Sequence, residues 1–549
     1  MKLKIVGAAL LTAAFALSAV GCQKGVRPGG ESVVQIRAWK AGFGDEWLNA
    51  AVDEFNKMYA DEGYSAKIEE SAGTITTEEV VSQTKDYKKN NIDLYFASGS
   101  AAILELVDAS AQILRTSDYT LLEDLSDVYE SGAIGFNKQV ETESIESKIS
   151  DSADYFLAYN GKVDKWKGTR FLYQWTSASS GFVYNKKVVD SYLGGEVPRT
   201  TNELKVAFDK ILSEGKADNV YPVAWGGNNA AGYWQYVTET WFAQYAGEDD
   251  FYRLKPESGD TIKEGWKVYD NKGWLYAFEN LETFCDSGYA APGTLTTVDN
   301  LGAQDLLLKG KAAFCTSGDW MYNEMCNDPS YEKYLPDIRI MRVPVMSQLG
   351  EKLKLHSNPD TCDKILSEVI KGVDENKTDE EIISAVRSAY SVTLDGAQVE
   401  EIRAARGIYY DLGYQHVSYI PYHSDSKEAA KLFLRFIASN DFQGIYREKA
   451  HGNLPYDYTE PEGEEINAYQ ESLDVLTHSE NSTQICEANQ LSEIRAAAGI
   501  TSIPYINSWV TLVKGLSAGT YAADNIYENN LKSVSGDNWT FLLNVAGIS

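Results

Sequence analysis

The chain begins with an apolar stretch and then changes to strand-like and helix-like patterns. Residues 5–20 (IVGAALLTAAFALSAV) carry no charge, whereas VVQIRAW, which ends at Trp39, alternates apolar and polar residues as a strand does. From Trp47 to Tyr59 apolar residues recur at helical spacing, and IDLYFAS, residues 92–98, predicts a second strand. Strand and helix alternate along this part of the chain, which favours an α/β fold.

Turn and capping signals divide the rest of the chain. SASSG, residues 177–181, predicts a kinked turn between two strands. Thr200 with Glu203, and Thr378 with Glu381, each have the spacing of a capping box at a helix start. Residues 347–412 form a polar, mainly helical excursion.

The N-terminus is predicted to be a targeting segment. Lys2 and Lys4 precede the apolar stretch, which is shorter than the roughly 20 residues that a membrane-spanning helix needs. Gly21 and Cys22 follow it, and residues 23–32 form a Pro/Gly-containing linker. Two interpretations are open: an ordinary secretory signal in which Cys22 is incidental, or a lipoprotein signal that ends at this cysteine.

Charge and composition narrow the classes of ligand. The formal net charge of -30 argues against nucleic acid, which needs clustered Lys and Arg, and also disfavours an anionic ligand. The 35 tyrosines and 12 tryptophans supply many rings that suit surfaces with an apolar face and a wet edge. The charge and the rings together fit a neutral or cationic ligand.

No reactive or metal-binding motif stands out. The five cysteines after Cys22 form no CxxC pair, and the five histidines lack the spacing of metal ligands, so we expect neither a metal site nor a cofactor. G-x-S-x-G, H-E-x-x-H and Walker-type sequences do not occur. The acidic run GEDD does not match an EF-hand, and a structural calcium ion stays an open question.

Four segments, taken in order, resemble the extracellular solute-binding proteins of bacterial ABC importers, in particular the maltose-binding-like group that serves oligosaccharides. They are the lipobox-like end of the apolar stretch, LYQWTSASSGFVYNKKVVD with GGEVPRTTNEL, LLLKGKAAFCTSGDWM, and SDSKEAAKLFLRFIAS. The resemblance implies a Gram-positive lipoprotein in which Cys22 carries lipid. Ala19 departs from the lipobox, which prefers a larger aliphatic residue there.

The resemblance implies a periplasmic-binding-protein-like fold, with two α/β lobes joined by hinge crossovers. It places crossovers near Trp175, near Val343 to Val345 and near Leu454 to Tyr456. The first lobe then takes residues 33–175 and 345–454, including the excursion at 347–412, and the second takes 176–344 and 455–549. The 347–412 excursion has no counterpart in the family.

The same resemblance implies a function without chemistry. A lipid-tethered monomer would capture a neutral oligosaccharide between its lobes and deliver it to the permease subunits of an ABC transporter. Sugars present flat apolar faces and hydroxyl rims, so Trp and Tyr rings with Asp, Glu, Asn and Gln at loop ends suit them.

Candidate ligand-binding residues follow from both arguments. The relatives place aromatic residues of three regions in the cleft, which points to Trp320, Trp234 and Trp509 here. The remaining candidates lie at loop ends or near a crossover and are Trp39, Asp45, Glu46, Ser98, Ser100, Trp175, Trp225, Asn228, Asp319 and Tyr505. Each has a structural alternative: the tryptophans can be core residues, and the Asp and Ser residues can cap helices.

Two other classes of function are open at this point. A binding protein for peptides or polyamines would suit the acidic charge, and a lipid-anchored glycosidase would need two carboxylates about 5–10 Å apart across a sugar. An enzyme would shorten an oligosaccharide, a sugar-binding protein would return it intact, and a peptide or polyamine binder would ignore it.

Overall fold

A computed structural model of the chain describes residues 32–69, 75–248, 251, 265–458, 466–486 and 508–545. The strands in these ranges are β1 Ser32–Ala38, β2 Tyr64–Ile68, β3 Leu94–Ser98, β4 Gly132–Ile134, β5 Val140–Ser144, β6 Tyr173–Gln174, β7 Ser179–Asn185, β8 Tyr221–Ala224, β9 Ala312–Gly318, β10 Ile338–Met341, β11 Ile408–Asp411, β12 His416–Tyr419 and β13 Thr483–Ile485. The apolar N-terminal stretch and Cys22 lie outside the described residues.

The same ranges contain the α-helices. They are α1 Glu46–Tyr59, α2 Thr77–Lys85, α3 Ser100–Leu114, α4 Ser126–Tyr129, α5 Asp151–Leu157, α6 Lys186–Leu193, α7 Thr201–Gly215, α8 Trp234–Ala246, α9 Lys272–Phe284, α10 Asn300–Leu308, α11 Trp320–Cys326, α12 Gln348–Lys352, α13 Pro359–Asp374, α14 Asp379–Tyr390, α15 Gly396–Gly407, α16 Lys427–Ile437, α17 Asn440–Ala450, α18 Ala468–Thr477, α19 Trp509–Ser517, α20 Ala523–Val534 and α21 Asp537–Val545. In the described part of the chain no helix is both long and apolar enough to cross a membrane.

Eleven of these strands form two large sheets, and β4 and β5 pair with each other. We call each large sheet with its helices a lobe. The first lobe has the strand order β2-β1-β3-β12-β6, and the second has β13-β11-β7-β9-β8 with β10 also paired to β7. In the first sheet β1 runs parallel to β2 and β3, whereas β12 runs antiparallel to β3 and β6. The predicted α/β class is confirmed.

Hydrophobic periodicity explains the beginning of the first lobe. In β1, Val34 and Ile36 are buried while their neighbours are partly exposed, and the apolar stripe of α1 from Trp47 to Tyr59 is buried as its spacing predicts. The second predicted strand, β3, is buried on both faces, because Tyr95 and Ala97 are as inaccessible as Leu94 and Phe96. A strand in the middle of a sheet that is covered on both sides has this pattern.

The chain passes between the lobes at three places. It leaves the first sheet after Gln174 and enters the second at Ser179, returns between Asp411 and His416, and leaves again between the end of α17 and α18. The first and third passages lie where we expected crossovers. The second does not, since Val345 forms a parallel bridge with Thr200 at the start of α7 and so stays in the second lobe.

The assignment of residues 347–412 to the first lobe is therefore wrong. In β11, Tyr410 and Asp411 pair with Ser180 and Ser179 of the second sheet. Helix α13 is joined to the start of α7, where Thr200 Oγ1 donates to Asp363 Oδ2 at 3.1 Å. These helices also share an apolar cluster of their own, centred on residues such as Leu366.

The two predicted capping boxes differ in the structure. Thr378 and Glu381 form the complete reciprocal pair at the start of α14. Thr200 accepts from the backbone N–H of Glu203 at 3.2 Å, but the Glu203 carboxylate accepts from the backbone N–H of Arg199 rather than from that of Thr200. Both helices start where predicted. At α7 the expected hydrogen bond from the Thr200 backbone N–H to the Glu203 carboxylate is replaced by one from Arg199.

Candidate ligand-binding site between the lobes

One edge of the first sheet carries a stack of flat rings. Trp39 directly follows β1, and His416 begins β12, where it lies opposite Ser98 at the end of β3. The Trp39 indole stacks on the His416 imidazole with 5.1 Å between ring centroids and 23° between planes. This edge is the carboxyl end of the parallel strands, which is where open α/β sheets bind ligands.

The His416 ring is held in an aromatic surrounding. Phe43 meets it edge-on at 5.3 Å, and Trp175 lies at 5.8 Å, so rings contact it from three sides. Burial lowers the pKa of His416 to about 3, which keeps the imidazole neutral at physiological pH. Its Nδ1 atom is buried and has no hydrogen-bond partner among the described residues.

The facing edge of the second sheet carries a second aromatic group. Trp320, the first residue of α11, meets Tyr233 edge-on at 5.6 Å and Tyr236 at 6.4 Å. Tyr236 in turn lies against Tyr410 of β11 at 5.2 Å. The indole folds back over Gly318, where a β-carbon would come within 2.2 Å of the ring, so this arrangement requires glycine at that position.

The two edges touch through a short loop of the first lobe. Asn323 Nδ2 of α11 donates to the Gly42 carbonyl oxygen at 2.8 Å, and a β-carbon at Gly42 would lie 2.8 Å from Trp320 Cβ. Trp320 is 7% exposed in this arrangement. The lobes are thus in contact beside the rings, and Trp320 lies at the boundary between them rather than deep in one lobe.

Buried carboxylates fix the crossovers next to these rings. Asp411 accepts from the backbone N–H of Gly413 at 2.6 Å, from Ser179 Oγ at 3.0 Å and from the N–H of Ala178. Asp319 accepts from the Ser179 backbone N–H and from Ser177 Oγ, each at 3.2 Å. One carboxylate at the end of β11 and one just after β9 therefore hold the first crossover in place.

Burial raises the pKa of both carboxylates. It raises the pKa of Asp411 to about 6, against the lowering effect of the hydrogen bonds from Gly413, Ala178 and Ser179. It also raises the pKa of Asp319 well above its usual value, and the nearby Asp411 charge adds to that effect. Both groups are inside the protein, so their contacts are with the crossovers.

The fold has counterparts among solved structures. No protein-family model matches the chain, and no curated protein does either. Solved structures do match: a probable secreted solute-binding lipoprotein from Streptomyces coelicolor has a TM-score of 0.54 at 12% identity, covering 91% of this chain and 98% of that one. A chitin oligosaccharide binding protein has a TM-score of 0.54 at 14% identity, with coverage of 92% and 98%.

A third solved structure, maltose-bound MalE3 of T. maritima, has a TM-score of 0.53 at 15% identity, with coverage of 91% and 98%. The chain has the two-lobe fold of solute-binding proteins. At these identities the likeness concerns the fold alone. In the solute-binding-protein fold a ligand site lies between the lobes, and Trp39 and Trp320 are the predicted residues that the structure brings to that boundary.

Other predicted tryptophans lie inside a lobe. Trp225 and Trp234 are fully buried in the second lobe, where Trp234 meets Phe182 edge-on at 5.7 Å. Trp175 is also fully buried and stacks on Trp47 of α1 at 5.0 Å. Each of these rings is covered by packing within the protein in this arrangement, and their role in ligand binding stays a prediction.

The predicted polar residues of the first lobe have mixed positions. Asp45 forms an ion pair with Lys40 and makes no side-chain cap bond to α1, while Glu46 is exposed. Ser98 is partly exposed at the end of β3, and Ser100 is buried as the first residue of α3. The predicted alternative of capping does not apply to Ser100, because Gly99 occupies the N-cap position with a φ of 90°.

The remaining predicted residues of the second lobe are less central. Asn228 and Asn229 are exposed, and Asn229 Oδ1 accepts from the backbone N–H of Asn300 at 2.8 Å. Trp509 begins α19 and is 8% exposed, close to Gly232 in the turn before α8. Asp319, predicted as a ligand-binding residue, instead holds a crossover. Tyr505 lies outside the described residues.

Sequence reasoning missed four rings of the boundary, namely His416, Phe43, Tyr233 and Tyr236. His416 has no local signal, because it stands in an ordinary alternating strand pattern. Tyr233 stands next to Trp234 in the sequence, and only the turn Ala231–Tyr233 decides which of the two rings faces Trp320. In the described ranges no group of three or more His, Cys, Asp or Glu residues is arranged to hold a metal ion.

Proposed function

We propose that the protein is the extracellular, lipid-anchored binding component of a bacterial ABC importer, and that it captures a neutral oligosaccharide between its lobes. The observation that carries this proposal is the pair of aromatic surfaces at the facing sheet edges, Trp39 on His416 and Trp320 with Tyr233. A sugar ring placed between such surfaces would remove its apolar face from water.

The fold supports the class of function. A chitin oligosaccharide binding protein and a maltose-bound protein are among the structures with this fold, so the fold accommodates oligosaccharides. The net charge of -30 disfavours an anionic solute. His416 stays neutral at physiological pH, so the first surface adds no charge that would select a charged ligand.

The lobes would close on the ligand, and the closed form would dock on permease subunits in the membrane. Closure requires that the sugar bind the closed form better than the open form. Lipid on Cys22 would keep the binding protein at the outer face of the membrane, with residues 23–32 as the spacer. No covalent chemistry is part of this proposal.

The sugar site is tested by a thermal-shift screen of oligosaccharides followed by calorimetric titration of the best one. Binding to the folded state alone raises the apparent stability. We expect Trp39→Ala and Trp320→Ala each to weaken binding by about 2 kcal/mol or more, roughly 30-fold. Phe541→Ala is the matched control, because Phe541 is 62% exposed on α21.

Three outcomes would contradict the proposal. A shortened oligosaccharide after incubation would indicate a glycosidase, and stabilisation by peptides or polyamines alone that is lost in Trp320→Ala would indicate a different solute between the lobes. Unchanged affinity in both tryptophan variants would remove the aromatic surfaces from the site. The anchor is tested separately by Cys22→Ala, which we expect to abolish incorporation of labelled fatty acid and release the protein from the membrane fraction.

A further inference from the structure

A cavity of about 210 Å³ lies among the three crossovers, away from the aromatic rings. Gln174, Asp411 and Asn453 line it, one from each passage between the lobes. Tyr409 also lines it, whereas Tyr410, the next residue of β11, faces Tyr236 on the aromatic side. Consecutive strand residues point to opposite faces, so this cavity and the aromatic surfaces lie on opposite faces of the second sheet.

Three hydrogen-bond donors around the cavity already have partners within the protein. Lys148 Nζ is ion-paired with Glu141, and both side chains are largely buried. Ser179 Oγ donates to Asp411 at 3.0 Å, and Ser177 Oγ donates to Asp319 at 3.2 Å. These three side chains are therefore engaged with carboxylates of the protein itself.

Acceptors, in contrast, remain available. Gln174 is fully buried and its Oε1 atom has no hydrogen-bond partner in the part of the chain that the structure describes. Asp457 is exposed at the cavity and its carboxylate makes no hydrogen bond or ion pair with described residues. A buried acceptor without a donor destabilises the protein, so a donor-bearing occupant would be favoured at Gln174.

The charge around the cavity also favours an occupant that carries hydrogen-bond donors. Glu141 compensates Lys148. Two further carboxylates line the cavity, that of the exposed Asp457 and that of Asp411, whose oxygens already accept hydrogen bonds from the crossovers. We propose that this cavity binds a small organic cation, whose ammonium or guanidinium group donates to Gln174 Oε1 and lies near the two carboxylates. A neutral polyol would satisfy the acceptor but not the charge.

The position of the cavity lets a bound cation contact residues of both lobes. Lys148 and Gln174 belong to the first lobe, and Tyr409 and Gln484 belong to the second. An occupant that contacts both would favour the lobe arrangement that keeps these residues together. This coupling to a ligand between the lobes rests on the proposed function, but binding of the cation does not.

The proposal is tested by calorimetric titration of the full chain with putrescine in 150 mM salt, without any sugar, and with glycerol as the neutral comparison. We expect saturable one-site binding of putrescine and none of glycerol. Asp457→Asn should weaken binding at least fivefold, and it should fold normally because its side chain makes no hydrogen bond or ion pair with the described residues. Asp61→Asn removes the same charge from another exposed aspartate and should leave the affinity unchanged.

Each of the following results would overturn the inference. Absence of saturable binding, or equal binding of glycerol, would show that the acceptors do not select a cation. Equal loss in Asp61→Asn would mean that the net charge alone attracts putrescine. Loss of putrescine binding in Trp320→Ala, with Asp457→Asn unaffected, would place the cation between the lobes. A failed sugar screen would not alter any of these readings, so the two proposals fail separately.

Discussion

Gly42→Ala tests the contact between the lobes. A β-carbon at this position would lie 2.8 Å from Trp320 Cβ, 3.0 Å from Glu324 Oε1 and 3.1 Å from Glu324 Cγ. Non-bonded carbon atoms prefer roughly 3.5–4.0 Å, so the overlap with Trp320 Cβ is about 0.7 Å or more. The Glu324 side chain can rotate away, whereas Trp320 Cβ is fixed to the backbone of α11.

The loss of stability caused by Gly42→Ala depends on how the protein relieves the overlap. If the lobes stay together, forcing the methyl group into the contact costs about 1–3 kcal/mol. If they separate, the protein loses the hydrogen bond from Asn323 to Gly42, worth about 0.5–1.5 kcal/mol, together with burial of Trp320. In either case we expect the free energy of unfolding in urea to fall by about 1 kcal/mol or more.

Gly396→Ala is the matched control, because a β-carbon at that position meets no atom within 4 Å. It lies at the start of α15, so alanine should leave the stability unchanged or raise it by up to about 1 kcal/mol. Small-angle scattering then distinguishes a strained contact from lobes that have moved apart, since the latter have a larger radius of gyration. A Gly42→Ala protein that matches the wild type in both urea unfolding and scattering would refute the reasoning.

Three further predictions concern buried groups. The pKa of Asp411 is raised to about 6 in the folded state, so its protonation stabilises the fold at low pH. The loss of unfolding free energy caused by Asp411→Asn should therefore be about 1 kcal/mol smaller at pH 8 than at pH 5 in urea titrations. A loss that is the same at both pH values would contradict this prediction. Arg447→Met should cost about 3–5 kcal/mol in the same assay by leaving Asp474 without its buried bidentate partner, and less in the double variant with Asp474→Asn. In a Cys22→Ser chain, Cys326 should react first with a thiol reagent, because it is partly exposed and the other four described cysteines are buried; simultaneous reaction of all five would disprove this.

Local patterns in the sequence were sufficient for individual elements. The stripe from Trp47 to Tyr59 predicted α1, and the alternation around Val34 and Ile36 predicted β1, because each pattern depends only on which face is buried. Thr378 and Glu381 predicted the start of α14 for the same reason, since a capping box is made by neighbours in sequence.

Partners that are distant in sequence could not be predicted in this way. The lobe assignment of 347–412 failed because it depends on the pairing of Tyr410 with Ser180, and no local signal encodes that pairing. The candidate tryptophans show the same limit: Trp320 lies at the lobe boundary and Trp234 is covered, although both begin a helix after a loop. What covers a ring is decided by the tertiary fold.

The order of strands in the first sheet has a consequence for biosynthesis. β12 lies between β3 and β6, so this sheet is complete only after residue 419 has been made. At ordinary synthesis rates the ribosome needs about 15–60 s to go from the end of β3 to that point. During this time one side of β3 has no neighbouring strand, and the N-terminal half cannot finish folding. Under the export that we propose for this protein, such a delay would be an advantage, because a chain that has not finished folding can still be threaded through a translocation channel.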